Sequence, residues 1–293
     1  MNIMSFGYGE AVAVWHRHCV QLGLPCQIAA SVRNPDKAET LRALGVQPHL
    51  WQNSLDTEGV QALQNAEIVV ISAAPKPEGD TLFPHLLPIL QDSTNLRWLG
   101  YLSSTNVYGN HDGGWVNEDT PTNPTGARGR GRVIAEQQWL QSGLPAHVFR
   151  LAGIYGHGRN QIRKLQSGRA RQLIKAGHVF NRIHETDIAQ VLNASITQPN
   201  AGRIYNLADD CPAPPQEVLH YAAKLCGADL PPPEDHATAE LKGLAKEFYF
   251  DNKRILNARI KTELGVQLRF PDYRAGLQAV SYTHLTLPTL YSV

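Results

Sequence analysis

The sequence predicts an α/β protein with a doubly wound parallel sheet and a smaller, mostly helical C-terminal part. Two observations carry that prediction. Short, nearly all-apolar runs of strand length alternate with amphipathic runs of helix length, and strands apolar on both faces belong to parallel sheets covered on both sides. Gly7-x-Gly9 falls directly between the first such strand and the first helix, the place where a Rossmann fold turns around a nucleotide.

The elements follow in order. Residues 2–6 (NIMSF) are the first strand, and EAVAVWHRHCVQLG is a helix with Ala11, Val14, Trp15 and Val20 near helical spacing and Gly23 as its stop. CQIAASV is the second strand, and PDKAETLRALG a helix with proline at its start and glycine at its end. GVQPHL is a weak third strand, EIVVIS a buried fourth, and Thr81 to Leu90 a helix despite two prolines. LRWLGYLSS is the fifth strand, Arg130 to Gln141 a helix, and AHVFRLAGIYG a sixth strand. TDIAQVLNASIT reads as a helix capped by Thr186 or Asp187, GRIYNLA as the seventh strand, and PAPPQEVLHYAAKLCG as a helix after a proline-rich turn. DLPPPEDH is a loop, and Phe248 to Leu268 closes the smaller part. The division expected is a dinucleotide-binding domain at 1–157 and 183–210 and a substrate-side part at 158–182 and 211–279. VSYTHLTLPT, Val280 to Thr289, resembles read-through of a sequencing adaptor, so 280–293 is read as a non-native tail outside the fold.

Bulk properties exclude several classes. A hydrophobic fraction of 42% is that of a globular chain, and a net charge of +1 gives no global pull toward nucleic acid or membrane. Cys19, Cys26, Cys211 and Cys226 form no CxxC pair, as expected of reduced thiols in the cytoplasm. No apolar run has the length of a bilayer span, and MNIMSFGYG lacks the basic and apolar regions of a signal peptide. His16 and Cys19 share a helix face, but no second pair completes a metal site, so no metal is expected.

At the glycine turn, bare backbone admits a pyrophosphate and the helix N-terminus supplies amide donors. Val12 replaces the third glycine of the fingerprint and is expected to widen the helix–strand spacing. The second strand ends ASVRNP, so Arg33 stands where an acid would read the ribose of NAD. An arginine there can grip a 2′-phosphate, which favours NADP over NAD, or can be an ordinary solvated loop residue.

YLSSTNVYG at 101–109, NEDTPTNPTG, RLAGIYGHGRN at 150–160, NRIHETDIA at 181–189 and FYFDNKRILN with ELGVQLRFPDYRAGL occur in one order. Together they resemble the NAD(P)-dependent epimerase/dehydratases, the extended short-chain dehydrogenases/reductases, over residues 1 to 279. The resemblance implies an NAD(P)-dependent oxidoreductase or epimerase acting on a small carbonyl, hydroxyl or nucleotide-sugar-like anionic substrate, often as a homodimer. It places the cofactor on Gly7, Tyr8, Gly9, Glu10, Arg33, Ala73, Ala74, Ser103 and Ile154, and the family serine on Ser104.

The family's catalytic tyrosine and lysine precede the glutamate of an Ala-Glu pair by eight and four residues. Here the pair is Ala135-Glu136, and the positions hold Arg128 and Arg132: YxxxK is rewritten as RxxxR within TGARGRGRVIAEQQWL. Guanidinium does not exchange protons near neutral pH, so Arg128 cannot act as the tyrosine does. Arg132 can take over the ribose contact and Arg128 can hold an anionic group or polarise a carbonyl; alternatively both point at water, as helix-starting arginines often do. Tyr108, Tyr155 and His184 are alternative proton carriers, each also readable as a packing residue. From Arg128 to Arg182 there are nine arginines and two lysines against one acid, Glu136, which reads as an anion-attracting cleft or as a solvated face. No aromatic-interleaved platform supports nucleic acid. A non-catalytic NAD(P)-binding sensor is the rival reading.

Overall fold

The computed structural model describes residues 1–241, 243 and 248–286. Its strands are β1 (Asn2–Phe6), β2 (Gln27–Val32), β3 (Gln47–Leu50), β4 (Ile68–Ile71), β5 (Trp98–Ser104), β6 (Trp115–Val116), β7 (Ala146–Leu151), β8 (Gly153–Tyr155), β9 (Gln172–Ile174), β10 (Arg182–His184), β11 (Ile204–Leu207), β12 (Pro233–Asp235) and β13 (Arg254–Ile255). The helices are α1 (Glu10–Gln21), α2 (Pro35–Ala43), α3 (Thr57–Gln64), α4 (Phe83–Gln91), α5 (Ala127–Leu140), α6 (Gln161–Gln166), α7 (Glu185–Thr197), α8 (Pro215–Cys226), α9 (Ala258–Leu264) and α10 (Tyr273–Thr286).

Seven parallel strands form one sheet in the order β11-β7-β5-β4-β1-β2-β3. The chain winds outward from β1 through β2 and β3, then returns to its other side through β4, so the order reverses between β1 and β4. In such sheets the crevice outside the strands' carboxyl ends at that reversal is the ligand site. Alternate strand residues serve two cores. Ile3, Val70, Trp98 and Phe149 face Val12 and Trp15 of α1 and Ile188 and Leu192 of α7. Met4, Phe6, Val69 and Tyr101 face Leu63, Leu86, Ala135 and Trp139 of α3, α4 and α5. A third core joins Ile162, Val218, Ala222, Tyr273 and Leu277 of α6, α8 and α10.

Several expectations are corrected. AHVFRLAGIYG is not one strand: the ladder breaks at Ala152, whose amide bonds the Leu207 carbonyl, while the Gly153 amide turns to Asn181. That bend takes β8 out of the main sheet to pair with β10. Helix α3 escaped periodicity because it buries only Gly59 and Leu63; its signal was Asp56, whose carboxylate caps the Gly59 amide at 2.6 Å. The cap of α7 is His184, not Thr186 or Asp187. Asp187 is fully buried and accepts the amides of Arg269 and Phe270 at 2.7 and 3.1 Å, tying the C-terminal segment to α7. Part of DLPPPEDH is strand β12, paired with β9. Helix α10 runs through the start of the proposed tail and buries Val280; residues 287–293 lie outside the described residues.

Helix α5 begins at Ala127, three residues before the expected Arg130, so the arginine–glycine alternation is its first turns. Each helix-interior glycine costs roughly 1 kcal/mol against alanine. The packing explains both: a β-carbon on Gly129 would lie 3.0 Å from the Asn106 carbonyl oxygen, and one on Gly131 would overlap the Lys76 carbonyl.

Candidate functional site

The carboxyl ends of the central strands are where the sheet is accessible. Gly9 is exposed there, and Gly7, Ser72, Ala73, Ser104 and Ile154 are partly so, with Ala74 and Gly153 open to solvent. Gly7 has a φ of +89°, and a β-carbon on it would sit 2.9 Å from the Ser72 hydroxyl, so the turn demands glycine. Gly9 differs. Its φ of −89° suits any residue, and a β-carbon there would meet nothing within 4 Å. Gly9 is the N-cap of α1 without a side-chain cap, leaving the helix amides and positive end facing open space. Val12 does not obstruct this: it is fully buried in the core behind the turn. The residues therefore fit a dinucleotide's pyrophosphate.

Around the turn, Tyr8 sends its side chain inward, its hydroxyl 2.8 Å from His16 Nδ1. Only its backbone faces the crevice. Arg33 is exposed at the end of β2, with no hydrogen bond or ion pair among the described residues. Lys37, which sequence reasoning missed, donates to the Tyr8 carbonyl at 3.0 Å. Arg33 precedes the extended N-cap Asn34, and Lys37 lies in the first turn of α2, so both cations belong to the segment where β2 passes into that helix.

Ser104 ends β5 and accepts the Asn106 amide at 3.3 Å, which leaves its proton free to donate. Arg132 reaches the same strand end and donates to the Leu102 carbonyl at 3.1 Å. Arg128 is exposed, with no hydrogen bond or ion pair among the described residues. Ser103, expected to face a cofactor, is buried and lies 2.5 Å from Glu136 through its hydroxyl, so only its backbone can line the cleft.

Glu136 centres a buried network. Arg150 grips it with bonds from Nε and from Nη2, the latter at 2.7 Å. Arg150 also donates to the Tyr108 hydroxyl at 3.0 Å, and Tyr108 to Asn206 at 2.7 Å. Tyr108 is fully buried, and burial raises its phenol pKa, so it carries no protons for a substrate. Tyr155 is buried too and donates to the Asp272 carbonyl at 3.2 Å. His184 accepts the Thr186 amide at 3.1 Å, and burial lowers its pKa to about 4. All three alternative proton carriers are packing residues.

The run of positive charge disperses. Arg150 serves Glu136, Arg171 serves Glu234 at 2.5 Å, and Lys175 binds the Tyr249 carbonyl. Arg182 is buried, with Nη1 on the Phe180 and Ala213 carbonyls at 2.9 and 3.2 Å. Lys164 is exposed, and the nearby Arg159, Arg182 and Arg169 disfavour its charge. The cations of the run without a carboxylate partner among the described residues include Arg128, Arg130 and Arg132 of α5 and the group around Lys164. All four cysteines are free thiols. Among the described residues no three acidic, histidine or cysteine side chains could hold a metal, and no helix is long and apolar enough to cross a membrane.

No family model matches the chain. Protein YeeZ of Escherichia coli K12 is 30% identical over 260 residues, 84% of this chain and 88% of that one. A conserved protein of unknown function from Silicibacter pomeroyi is 47% identical, with a TM-score of 0.88 over 97% of this chain and 99% of that one. A Methylobacillus flagellatus protein, provisionally assigned as an NAD-dependent epimerase/dehydratase, is 25% identical, with a TM-score of 0.71 over 97% and 98%. The dTDP-glucose 4,6-dehydratase of Bacillus anthracis, in complex with NAD, has the same fold at 17% identity, with a TM-score of 0.73 over 97% and 96%. The chain belongs to the family of the Escherichia coli protein YeeZ, on the fold that the NAD-dependent epimerase/dehydratases share.

Proposed function

We propose that the protein is an NAD(P)-dependent oxidoreductase or epimerase-like enzyme acting on a small anionic carbonyl, hydroxyl or nucleotide-sugar-like substrate. The observation that carries this reading is the open glycine turn: Gly9 faces empty space at a helix end that no side chain caps. The cofactor would rest on Gly7, Gly9 and the first amides of α1. Ala73, Ala74 and Ile154, with the backbone of Ser103, would line its course. Arg33 and Lys37 would take a 2′-phosphate, which favours NADP over NAD. The bound nicotinamide would supply or accept a hydride. Residues 1–157 and 183–210 would form the cofactor domain, and 158–182 with 211–279 the substrate side.

The chain's own groups have limited roles. Ser104 donates a hydrogen bond to a substrate oxygen, Arg132 holds the end of β5 and the ribose beside it, and Arg128 clamps an anionic group. The Arg128 and Arg132 positions, matched to the family's tyrosine and lysine, cannot exchange a proton near neutral pH. Such a group contributes about 10²- to 10⁴-fold in rate. That arrangement, with Tyr108 and Tyr155 both engaged in packing, favours a second reading, a dinucleotide-binding sensor without turnover.

The first experiment is NADPH and NADH titration followed by nucleotide fluorescence, with Gly9→Val as comparison. Because backbone and space both admit the valine, the variant keeps its fold and melting temperature while nucleotide binding falls at least about tenfold. Equal binding by both proteins would remove the glycine turn from the site. Turnover of a carbonyl and nucleotide-sugar panel that is lost in Ser104→Ala marks an enzyme; binding without turnover marks the sensor.

A further inference from the structure

The loop after β8, residues 156–160, is unusually well held for a surface segment. The Gly156 amide donates to the Arg159 carbonyl at 3.1 Å, and the Asn160 side-chain amide donates back to the Gly156 carbonyl at 2.8 Å. Asn160 Oδ1 meanwhile accepts the Arg163 amide at 2.9 Å and starts α6. The His157 amide donates to Glu185 Oε1 at 3.1 Å. Glu185 lies so close beneath that any β-carbon on Gly156 would overlap its carboxylate. The loop is fixed from three directions, so whatever it carries is presented rigidly.

What it faces is α1, beginning at Glu10, the residue after Gly9. A β-carbon on Gly158 would lie 3.9 Å from Glu10 Oε1, and Glu10 is the first residue of α1, directly after Gly9. A cavity of about 470 Å³ separates loop from helix, lined by Glu10, Arg17, His157, Gly158 and Glu185 among others. Glu10 is an odd tenant beside a phosphate. Burial and then Glu185 raise its pKa, while Arg159 and Arg17 act against that rise. Arg159 is exposed and has no carboxylate oxygen within 4 Å among the described residues. The rigid loop holds it close enough to α1 for its charge to act on Glu10, the first residue of that helix.

We propose that the 156–160 loop is a clasp on the dinucleotide site, with Arg159 as a pyrophosphate ligand and Glu10 as the charge that opposes it. The inference rests on the dinucleotide-binding reading above. With no nucleotide bound, Arg159 offsets the Glu10 carboxylate across the cleft. When a dinucleotide seats on Gly9, its pyrophosphate offers two negative charges to the same guanidinium, whose planar fork suits phosphate oxygens. Glu10 then repels the phosphates, so the pair sets affinity by opposition.

The test measures NADPH affinity of the full chain by nucleotide fluorescence for wild type, Arg159→Ala, Glu10→Gln and the double variant. A control ligand is adenosine 2′-monophosphate, which has a 2′-phosphate but no pyrophosphate. Arg159→Ala weakens NADPH about tenfold, Glu10→Gln tightens it about threefold, and neither changes affinity for the control. Arg159→Lys restores part of the loss. Melting temperatures separate binding from folding, since the loop's hydrogen bonds use the Arg159 carbonyl and none among the described residues uses its side chain. NADPH binding by wild type and Arg159→Ala with equal affinity overturns the clasp and leaves the dinucleotide reading intact. A wild-type protein that binds neither NADPH nor NADH overturns both.

Discussion

Gly131 of α5 lies against Lys76 so closely that a β-carbon would overlap the lysine's carbonyl oxygen. The turn from Lys76 to Gly79, closed by reciprocal backbone bonds of 2.9 and 3.0 Å, leans on the helix there. Alanine for an exposed helical glycine ordinarily stabilises by roughly 1 kcal/mol. Here the sign reverses, because the overlap is with backbone that cannot rotate away. Gly131→Ala should lose about 1–3 kcal/mol in urea unfolding. A stabilised variant would show that the turn does not pack on α5.

The same contact shows what the sequence could and could not tell. The seven strands of the main sheet and most helices were legible because burial on both faces, caps and glycine stops are local signals. The Gly7–Gly9 turn was legible for the same reason. The expected helix start at Arg130 misses Arg128 and Gly129, because the α5 glycines answer to Asn106 and Lys76, residues distant in the chain. The break at Ala152 was hidden likewise, since both halves are apolar and only pairing with β10 or β11 tells them apart. Local charge counting misled for a third reason. Glu136 looked like a lone acid in a basic stretch, yet it is the bidentate partner of Arg150.

That pairing gives a stability prediction. Glu136 and Arg150 are both nearly inaccessible, their closest atoms 2.7 Å apart. Removing one charge strands the other in the core, at a cost of about 3–5 kcal/mol. Glu136→Gln should therefore unfold at much lower urea, and Glu136→Met with Arg150→Met should recover most of the loss. Equal stability of the single and double variants would place the cost elsewhere, in the Ser103 and Tyr108 bonds.

Cofactor choice is testable at α2. With Arg33 just before α2 and Lys37 in its first turn, Arg33→Ala or Lys37→Ala should weaken NADPH about tenfold and leave NADH unchanged. Titration of both nucleotides against both variants reads this directly. Parallel losses for NADPH and NADH would mean that these cations hold the adenine side generally, not a 2′-phosphate.

Asp209 supplies a pH signature. It is buried, its Oδ1 accepts the Cys211 amide at 3.1 Å, and its Oδ2 has no hydrogen-bond partner. Burial raises its pKa from the ordinary 3.8 to about 8, against the opposing pull of the Cys211 amide and of Arg182. Between those two values the native protein holds a proton that the unfolded chain has released. Stability from this group is thus full below about pH 4 and declines as pH rises toward 8, by about 1.4 kcal/mol per pH unit. Asn cannot ionise, so Asp209→Asn removes that decline. Urea unfolding of both proteins at about pH 5, 6.5 and 8 should show the variant gaining on wild type at each step. A difference that stays constant across the series would mean that Asp209 is ionised throughout and that Arg182 is its counter-charge. The buried guanidinium would then need no anion from a ligand.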